Sequence, residues 1–473
     1  MVSVKSLQNL NIKDYISETY DRAKPAQCNL ELVYATGSKT PVNQSKPCGQ
    51  LKCESLKFPF ARNGALPTSV PIKKADVLVV ADVTTQTKRV VELTLDLSVL
   101  DYDFDYAPGD TIAILPSNAD EVVQKLLQRL DLHEQAETIC SFKLVQNAKK
   151  TAKVPAHIPP ETTPRELFTH CLQLNGVLQK QFLSALAFCT FDPDQREFLY
   201  SLSSKQGSAY YNELILEKGL CLIDILEICH TCEPPLELLV EYLPRLLPRP
   251  YSIANSPMES ENDIRIIYSV LSERVGVTTH MLEKKIQQDQ AAAAKLIIYP
   301  RLINAFRYTA DDMSSNQILI AVGTGLAPFL GFLAHKQRCC HQGSPSRSIG
   351  QTWLYLGAKT PEAVLKLNDL QEWQNSDIVQ RLRLCFSRVS ELSEEAPKYV
   401  QELLKKDAAE LIELLQHPAT VLYVCADGAK ISKAIQDGIK QCLISTLNLD
   451  EEAAMKQVQD MRKAGKYRED TWL

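Results

Sequence analysis

From Gln317 onward, the sequence alternates short apolar runs with longer helical ones. QILIAV, TWLYLG, RLRLCF and TVLYVCAD each have the pattern of a buried strand, and a helical pattern follows each of them. Repeated β-α units of this kind build a parallel sheet with helices on both faces. We therefore predict a doubly wound parallel α/β domain over residues 311–473, with ligands at the carboxyl ends of its strands.

A different pattern precedes this domain. ADVLVVADVTT, KRVVELTLDLSV and TIAILP are rich in β-branched residues, and β character resumes in YSIANS and IRIIYSVL. These runs predict an antiparallel β-barrel over about 71–118 and 248–310. Residues of about 119–247 have helical spacing and predict a helical insertion within the barrel domain. For residues 1–70 we expect a tail or linker with at most one short helix.

Composition restricts the possible partners. The 473 residues carry a formal net charge of −5 and no long basic run, which argues against a nucleic-acid partner. No apolar run reaches about 18 residues, so we expect no membrane partner. The 14 cysteines are scattered, and no secretion signal precedes them, which favours a reduced, cytoplasmic protein. Cys229 and Cys232 have metal-ligand spacing, but without a second pair we favour packing and predict no metal site.

Arg249-Pro250-Tyr251-Ser252 places a cation, an aromatic ring and a hydroxyl within four residues. Such a group can hold a flavin, with the guanidinium on a pyrophosphate, the ring against the isoalloxazine and the hydroxyl near its reactive nitrogen. The alternative is an ordinary strand. Some two dozen residues later, Gly276-Val277-Thr278-Thr279 opens a helix. Its backbone N–H groups and helix dipole suit a pyrophosphate, although a plain N-cap is the alternative.

The α/β domain carries candidate nucleotide residues at its strand ends. Gly323-Thr324-Gly325 lies between a buried strand and a helix, where the backbone can approach a phosphate chain. Ser387 and Arg388 end the third strand, and Lys398, Tyr399 and Gln401 open the next helix. Hydroxyls and cations of this kind suit the 2′-phosphate of NADPH, which NADH lacks. A solvated charged loop is the alternative.

Two further residues are candidates for work at a cofactor ring. Asp427 ends the fourth strand, where a carboxylate can reach a ring, although it can also cap the following helix. Trp472 is next to last in the chain, and a tail tryptophan is usually mobile. In a flavoprotein it could instead cover the flavin face opposite Tyr251, so that nicotinamide must displace it.

In this order and spacing, the motifs resemble the FAD/NADPH half of the diflavin reductases, the cytochrome P450 reductase family. The resemblance covers about residues 75–473, and the stretch from His157 to Ser252 is most similar to the branch that reactivates methionine synthase. It implies a ferredoxin-NADP reductase-like fold with two cofactors, FAD and NADPH. The implied FAD residues are Arg249, Pro250, Tyr251, Ser252, Gly276, Val277, Thr278, Thr279 and Trp472. The implied nucleotide residues are Lys88, Gly323, Thr324, Gly325, Ser387, Arg388, Lys398, Tyr399, Val400, Gln401 and Asp427. Ser252, Asp427 and Trp472 are the implied catalytic residues.

Two departures from the family pattern bear on the rate. The chain has Ala321-Val322-Gly323 where the family has Gly-Pro-Gly, and Gly357-Ala358-Lys359 where the family has Gly-Cys-Arg. The cysteine that would lie near the nicotinamide is therefore alanine. Because hydride transfer depends chiefly on positioning, Ala358 predicts a slower enzyme.

The destination of the electrons follows only from the resemblance. Family members carry an FMN domain ahead of this module, and about 70 residues are too few to build one. We expect electrons to pass to a redox acceptor protein, either cobalamin-dependent methionine synthase or a separate FMN protein. The alternatives are a general electron-supply reductase for P450-like or iron–sulfur acceptors, and a degenerate flavoprotein that acts as a binding module.

Overall fold

The computed structural model describes residues 10–17, 19, 28–35, 51, 53, 56–80, 87–271, 276–287, 294–341, 349–389, 396–428 and 430–472. These form two compact units. The helical unit comprises residues 1–58, 115–248 and 276–281, and the sheet unit comprises residues 59–114, 249–275 and 282–473. Each has its own buried hydrophobic core.

Strands and helices alternate along the described residues in the following order. The strands are β1 (Leu30–Tyr34), β2 (Thr68–Val80), β3 (Thr87–Asp96), β4 (Thr111–Ile114), β5 (Cys140–Leu144), β6 (Arg249–Ser252), β7 (Asp263–Leu271), β8 (Lys295–Pro300), β9 (Asn316–Val322), β10 (Thr352–Ala358), β11 (Arg381–Phe386), β12 (Thr420–Asp427) and β13 (Tyr467–Trp472). The α-helices are Asp120–Arg129, Pro164–Glu166, Lys180–Phe188, Pro193–Ser203, Ser208–Tyr211, Leu222–Ile228, Leu236–Tyr242, Val277–Gln287, Ala310–Ser314, Ala327–His341, Leu367–Asn375, Val400–Lys406, Ala408–Gln416, Ile431–Leu447 and Glu451–Lys463. Shorter 3₁₀ turns are Ile12–Tyr15, Arg62–Gly64, Gly323–Leu326 and Pro361–Ala363, and π-helical turns are Leu167–Cys171 and Asn212–Glu217.

The first part of the sheet unit is an antiparallel sheet with the strand order β6-β4-β8-β2-β3-β7. Every pair of neighbouring strands in this order runs antiparallel. In β3, Val91, Leu93 and Leu95 are buried on one face, and Val90 and Glu92 on the other face are buried as well, so both faces of this strand are covered. The alternating patterns of the sequence predicted this sheet correctly.

The second part is a parallel sheet with the strand order β11-β10-β9-β12-β13. Its central strands β9, β10 and β12 are buried along nearly their whole length, as strands covered by helices on both faces must be. The predicted fold class, an antiparallel barrel-type sheet followed by a doubly wound α/β domain, is confirmed. Because all five strands are parallel, their carboxyl ends lie at one edge of the sheet.

Two expectations about secondary structure were wrong. Residues 1–70 were expected to hold at most one short helix, but β1 lies there and pairs antiparallel with β5 of the helical unit. Leu30 is 3% exposed, and Glu241 accepts hydrogen bonds from the backbone and side-chain nitrogens of Asn29. The sequence patterns predicted four strands for the α/β domain and none at residues 467–472, whereas these residues form a fifth strand, β13, beside β12. The domain bounds themselves stay a prediction.

Antiparallel and parallel sheets share one core within the sheet unit. Val90, Ala254 and Ile267 of the antiparallel part pack in the same buried cluster as Leu319 and Ala321 of β9. A largely buried ion pair, Glu92 to Lys366 at 3.0 Å, links β3 to the segment before helix Leu367–Asn375. The two sheets therefore hold each other in a fixed arrangement, since both apolar packing and a desolvated charge pair resist separation.

The described residues also bear on membrane and thiol chemistry. Among them, none of the helices is both long and apolar enough to cross a bilayer. Each cysteine described is a free thiol, and Cys229 and Cys232 are fully buried in the helical core. Burial raises the pKa of the Cys232 thiol to about 11, which is the state of a packed, unreactive cysteine.

We expect Gly109→Ala to destabilise the sheet unit strongly. Gly109 has φ of +84°, and an added Cβ would lie 2.2 Å from the carbonyl oxygen of Phe306. Backbone strain and overpacking together should lower the free energy of unfolding by about 2–4 kcal/mol, seen as a lower urea midpoint. Gly465→Ala is the control, because Gly465 has φ of +70° with no atom within 4 Å of the added Cβ. Its loss should be about 1 kcal/mol, and equal losses would contradict the steric account.

Candidate functional site

The carboxyl edge of the parallel sheet collects most of the predicted nucleotide residues. Gly323 follows β9, Ser387 and Arg388 follow β11, and Asp427 ends β12. In a doubly wound sheet, the crevice for a ligand opens where the strand order reverses, here between β9 and β12. The structure therefore brings these residues to the edge that the sequence predicted.

The turn after β9 has the form that the motif suggested. Gly323 adopts φ of +58° and opens a 3₁₀ turn, Gly323–Leu326, which runs directly into helix Ala327–His341. An added Cβ at Gly323 would meet no atom within 4 Å, so the glycine is needed for its backbone conformation and leaves open space beside the turn. Backbone N–H groups at such a turn can face a phosphate chain.

A cationic pair lies at the ends of β10 and β11. The backbone N–H of Arg388 donates to the carbonyl of Lys359 at 2.9 Å, and that of Ser387 donates to Ala358 at 3.1 Å. Burial, and then the positive charge of Arg388, lowers the pKa of Lys359. Two like charges held this close suit an anionic ligand, because the ligand relieves their repulsion. Lys359 was missed as a site residue, although its charge directly after a buried strand was a usable signal.

The start of helix Val400–Lys406 supplies the remaining nucleotide candidates. Tyr399 is its N-cap and is 51% exposed, while Glu402 accepts from the backbone N–H of Lys398 at 2.7 Å. The exposed phenol ring is available for stacking. Val400 differs from Tyr399, because its side chain is buried. Its Cγ2 atom lies 2.8 Å from the position that a Cβ on Gly357 would take. Its side chain serves the core, so any contact it makes with a nucleotide must come from its backbone. Gln401 packs near Gly438 of the neighbouring helix.

Arg249-Pro250-Tyr251-Ser252 forms β6, the edge strand of the antiparallel sheet. Side chains alternate along a strand, so the guanidinium of Arg249 and the ring of Tyr251 lie on the same face. Burial raises the pKa of Tyr251 to about 12, and burial lowers the pKa of the Arg249 guanidinium. A neutral phenol beside a partly desolvated cation is an environment that fits a flat ring and a phosphate.

Ser252 contacts the last strand of the parallel sheet. Its hydroxyl Oγ donates to Oδ2 of Asp470 at 2.9 Å. Burial raises the pKa of Asp470, while the bond from Ser252 and the charge of Arg301 oppose that rise. In the register of β12 and β13, Asp470 lies opposite Cys425, whose pKa is raised by burial and then by Asp470. Asp470 was missed because no strand was predicted in YREDTW. Its acidic residue two positions before Trp472 was the available signal.

Asp427 and Trp472 are partners across β12 and β13. The backbone N–H of Lys430 donates to Oδ1 of Asp427 at 3.3 Å, next to the start of helix Ile431–Leu447. Asp427 thus has the predicted strand-end position, but the N-cap of that helix is Lys430 and not Asp427. The backbone of Trp472 lies at the same edge, and its side chain is outside the described part of the chain.

The predicted pyrophosphate segment opens helix Val277–Gln287. Thr278 is 4% exposed, and its Oγ1 has no hydrogen-bond partner among the described residues. A buried hydroxyl normally has a partner, so one supplied by a ligand would satisfy it. Residues 276–281 group with the helical unit, whereas Arg249–Ser252 belongs to the sheet unit. The structure therefore describes these two halves of the predicted flavin site separately.

Lys88 lies on β3, and its side chain is outside the described part of the chain. The adjacent Arg89 pairs with Glu283 of helix Val277–Gln287, which also accepts a hydrogen bond from the hydroxyl of Tyr268 at 2.8 Å. A role for Lys88 at the nucleotide stays a prediction. Among the described residues, there is no group of three or more His, Cys, Asp or Glu that could hold a metal ion.

Two protein families match successive parts of this chain. A family described as FAD binding domain matches residues 69–281, and one described as oxidoreductase NAD-binding domain matches residues 319–435. The first spans the helical segment and most of the antiparallel sheet, with β8 beyond its end, and the second spans most of the parallel sheet. Domains for FAD and for a nicotinamide nucleotide are therefore both present.

Several proteins are similar over most of the chain. Methionine synthase reductase of Homo sapiens is 32% identical over 429 residues, which cover 85% of this chain and 60% of that protein. The same enzyme of Rattus norvegicus is 31% identical and covers 86% of this chain and 62% of that protein. NADPH–cytochrome P450 reductase of Cavia porcellus is 27% identical over 95% of this chain and 67% of that protein. The chain spans about three fifths of the length of the methionine synthase reductases that it matches. This chain therefore carries an FAD binding domain followed by an oxidoreductase NAD-binding domain, and over most of its length it is similar to methionine synthase reductases and NADPH–cytochrome P450 reductases.

Proposed function

We propose that the chain transfers hydride from NADPH to FAD and passes the electrons to a redox partner. The observation that carries this proposal is the hydrogen bond between Ser252 and Asp470. It connects the strand of the predicted flavin residues to the edge of the parallel sheet where the predicted nucleotide residues lie. A flavin held on β6 and a nicotinamide held at this edge would meet beside that bond.

The residues for the flavin have separate tasks. FAD supplies the hydride acceptor when it is bound. The Arg249 cation suits its pyrophosphate. In the other unit, the buried Thr278 hydroxyl and the N–H groups at the start of its helix are a separate candidate for binding an anion. Tyr251 offers a neutral aromatic face, and Trp472 is proposed to cover the opposite face of the ring until nicotinamide displaces it.

Ser252 and Asp470 act on the reacting ends of the two cofactors. The hydrogen bond to Asp470 fixes the orientation of the Ser252 hydroxyl, which would otherwise rotate. In its ionised form, the Asp470 carboxylate would favour the positive charge that develops on nicotinamide as hydride leaves. Ala358, at the end of β10, replaces the family cysteine that would lie near the nicotinamide. We therefore expect slower hydride transfer than in relatives that have the thiol.

The cationic pair supports selection of NADPH over NADH. Lys359 and Arg388 lie at the ends of adjacent strands, with Ser387 beside them and Lys398 and Tyr399 at the start of the following helix. A dianionic 2′-phosphate would be attracted to both cations, whereas the 2′-hydroxyl of NADH carries no charge for them to bind.

For the electron acceptor, we propose cobalamin-dependent methionine synthase, reached directly or through an FMN-carrying protein. The support is the likeness to relatives named methionine synthase reductase, which exceeds the likeness to NADPH–cytochrome P450 reductase in identity. The free thiols of the described cysteines fit a reducing compartment such as the cytoplasm.

We expect the FAD-loaded chain to be bleached anaerobically by NADPH far faster than by NADH. Replacing Arg388 by alanine should raise the KM for NADPH about 10- to 100-fold and leave the reaction with NADH unchanged, since only the 2′-phosphate contact is lost. Stopped-flow absorbance of the flavin measures both. Arg383→Ala is the control. Arg383 lies on β11, the strand that Arg388 follows, and its guanidinium pairs with Asp407 instead. Equal bleaching by both nucleotides would refute the 2′-phosphate site, and a chain that binds no FAD would refute the enzyme and favour a binding module.

We expect Asp470→Asn to slow flavin reduction by NADPH about 10- to 1000-fold with FAD still bound, because a positioned charge at the reacting atoms is lost. Glu469→Gln is the matched control. It lies one residue earlier on β13, faces the other way, and contacts Ser432 and Arg462 instead. Rapid-mixing absorbance at saturating NADPH gives the rate. If both variants reduce FAD as fast as the wild type, Asp470 has no role in the reaction.

The acceptor can be tested separately from flavin reduction. We expect the chain with NADPH to restore turnover of inactive cobalamin-dependent methionine synthase, directly or after an FMN protein is added. Ferricyanide serves as the control acceptor for the flavin itself. Reduction of ferricyanide without any restored methionine synthase would favour a general electron-supply reductase.

A further inference from the structure

Ser252 and Arg301 flank the same residue of β4. In the register of β4 and β6, Thr111 lies opposite Ser252. On the other side of β4, the backbone N–H of Arg301 donates to the carbonyl of Thr111 at 3.0 Å, one residue beyond the Ile112 and Pro300 pair. Directly paired residues of an antiparallel sheet project to the same face. Ser252, Thr111 and Arg301 therefore form one rung whose side chains share the face on which Asp470 meets Ser252.

Phe60 holds the guanidinium of Arg301 in place. The Cζ atom of Arg301 lies 5.0 Å from the centre of the Phe60 ring, within the range of a cation–π contact. Bridge pairing of Ala61 with Arg301, and a 2.6 Å hydrogen bond from the N–H of Leu302 to the carbonyl of Phe60, fix the backbones around this contact. Phe60 adopts φ of +56°, an unfavourable conformation for a bulky residue. It persists because its surroundings determine it.

Neighbouring side chains anchor the same segment to the sheet. The hydroxyl of Tyr299 donates to the carbonyl of Pro59 at 2.8 Å. Arg62 donates to the carbonyl of Arg301 at 3.2 Å and pairs with buried Asp110 at 2.7 Å. These contacts fix the backbone on both sides of Phe60, and Phe60 itself is 63% exposed beside Arg301.

The charged surroundings of Asp470 are few. The titratable groups that act on it among the described residues are Arg301, after β8, and Cys425, on β12. Cys425 is a neutral thiol, because burial and then Asp470 raise its pKa. On β13 itself, Arg468 shares the face of Asp470 but pairs with Asp312 at 2.9 Å. Arg301 is therefore the cation that offsets the burial of the Asp470 carboxylate.

We propose that Arg301 is a positioning residue of the flavin-reduction site, held beside the Ser252–Asp470 pair by Phe60. The inference rests on the proposed function and adds a residue that acts through Asp470 without touching either cofactor's reacting atoms. Arg301 keeps the carboxylate ionised, so that it accepts the Ser252 hydroxyl and presents negative charge to nicotinamide. The segment before the antiparallel sheet thereby takes part in the reaction through Phe60.

The test is the pH profile of flavin reduction by NADPH in the FAD-loaded chain. Arg301 favours the charged form of Asp470, so Arg301→Met should raise the pKa of that carboxyl. The acid limb of the rate should then move to higher pH by about one unit, making the variant about tenfold slower on the limb and near wild type on the alkaline side. Arg301→Lys should restore the limb, because it keeps the cation. A merely structural role would lower the rate equally at all pH values.

Further variants keep the proposal falsifiable if Arg301→Met does not bind FAD. Phe60→Leu, which removes only the aromatic face, should shift the limb in the same direction by a smaller amount. Asp470→Asn should abolish the limb. An acid limb unchanged in Arg301→Met or Phe60→Leu, or retained in Asp470→Asn, would overturn the inference while leaving NADPH oxidation intact. Absence of bleaching in the wild type at every pH would instead overturn the proposed function, and this inference with it.

Discussion

The hydrogen bond between Ser252 and Asp470 is the contact on which the proposed site depends. It joins β6, the edge strand of the antiparallel sheet, to β13, the edge strand of the parallel sheet. Both groups are polar and partly buried, so each needs the other as a partner. The bond therefore places the strand of the predicted flavin residues against the carboxyl edge, where a nicotinamide nucleotide would lie.

Close packing behind the bond keeps it in register. A Cβ on Gly331 would lie 3.0 Å from the carbonyl of Asn255, which shows that helix Ala327–His341 approaches the antiparallel sheet at backbone distance. The shared apolar cluster and the Glu92–Lys366 ion pair secure the same arrangement. Hydride transfer is sensitive to displacements of about 1 Å, so the proposed reaction would require a rigid connection of this kind between the two sheets.

The sequence predicted the elements with strong local patterns. Alternating apolar residues predicted β3, continuous apolar runs predicted β9, β10 and β12, and the Arg249–Ser252 motif was found on a strand beside the proposed reaction site. Elements with weak patterns were missed. β13 carries Arg468, Glu469 and Asp470 in sequence, so it has no apolar run, and its stability comes from pairing with β12. β1 is five residues long and depends on Glu241, more than 200 positions away in sequence.

Asp470 and Arg301 show why the site could not be completed from the sequence. Each becomes relevant only through a tertiary contact, one with Ser252 and one with Thr111, and no spacing rule connects residues so far apart. Lys359 stands out in the sequence as a departure from the family pattern, but its closeness to Arg388 required the register of β10 and β11. The side chains of Lys88 and Trp472 lie outside the described part of the chain, so their roles stay predictions.

A double-mutant cycle on Ser252 and Asp470 tests the central claim most directly. The rate of FAD reduction by NADPH would be measured for Ser252→Ala, Asp470→Asn, the double variant and the wild type, all loaded with FAD. If the two residues act as one unit, the double variant should be little slower than the slower single variant, with a coupling of about 0.5–3 kcal/mol. Strictly additive losses, or no loss in either single variant, would show that the bond between the two sheets does not organise the reaction.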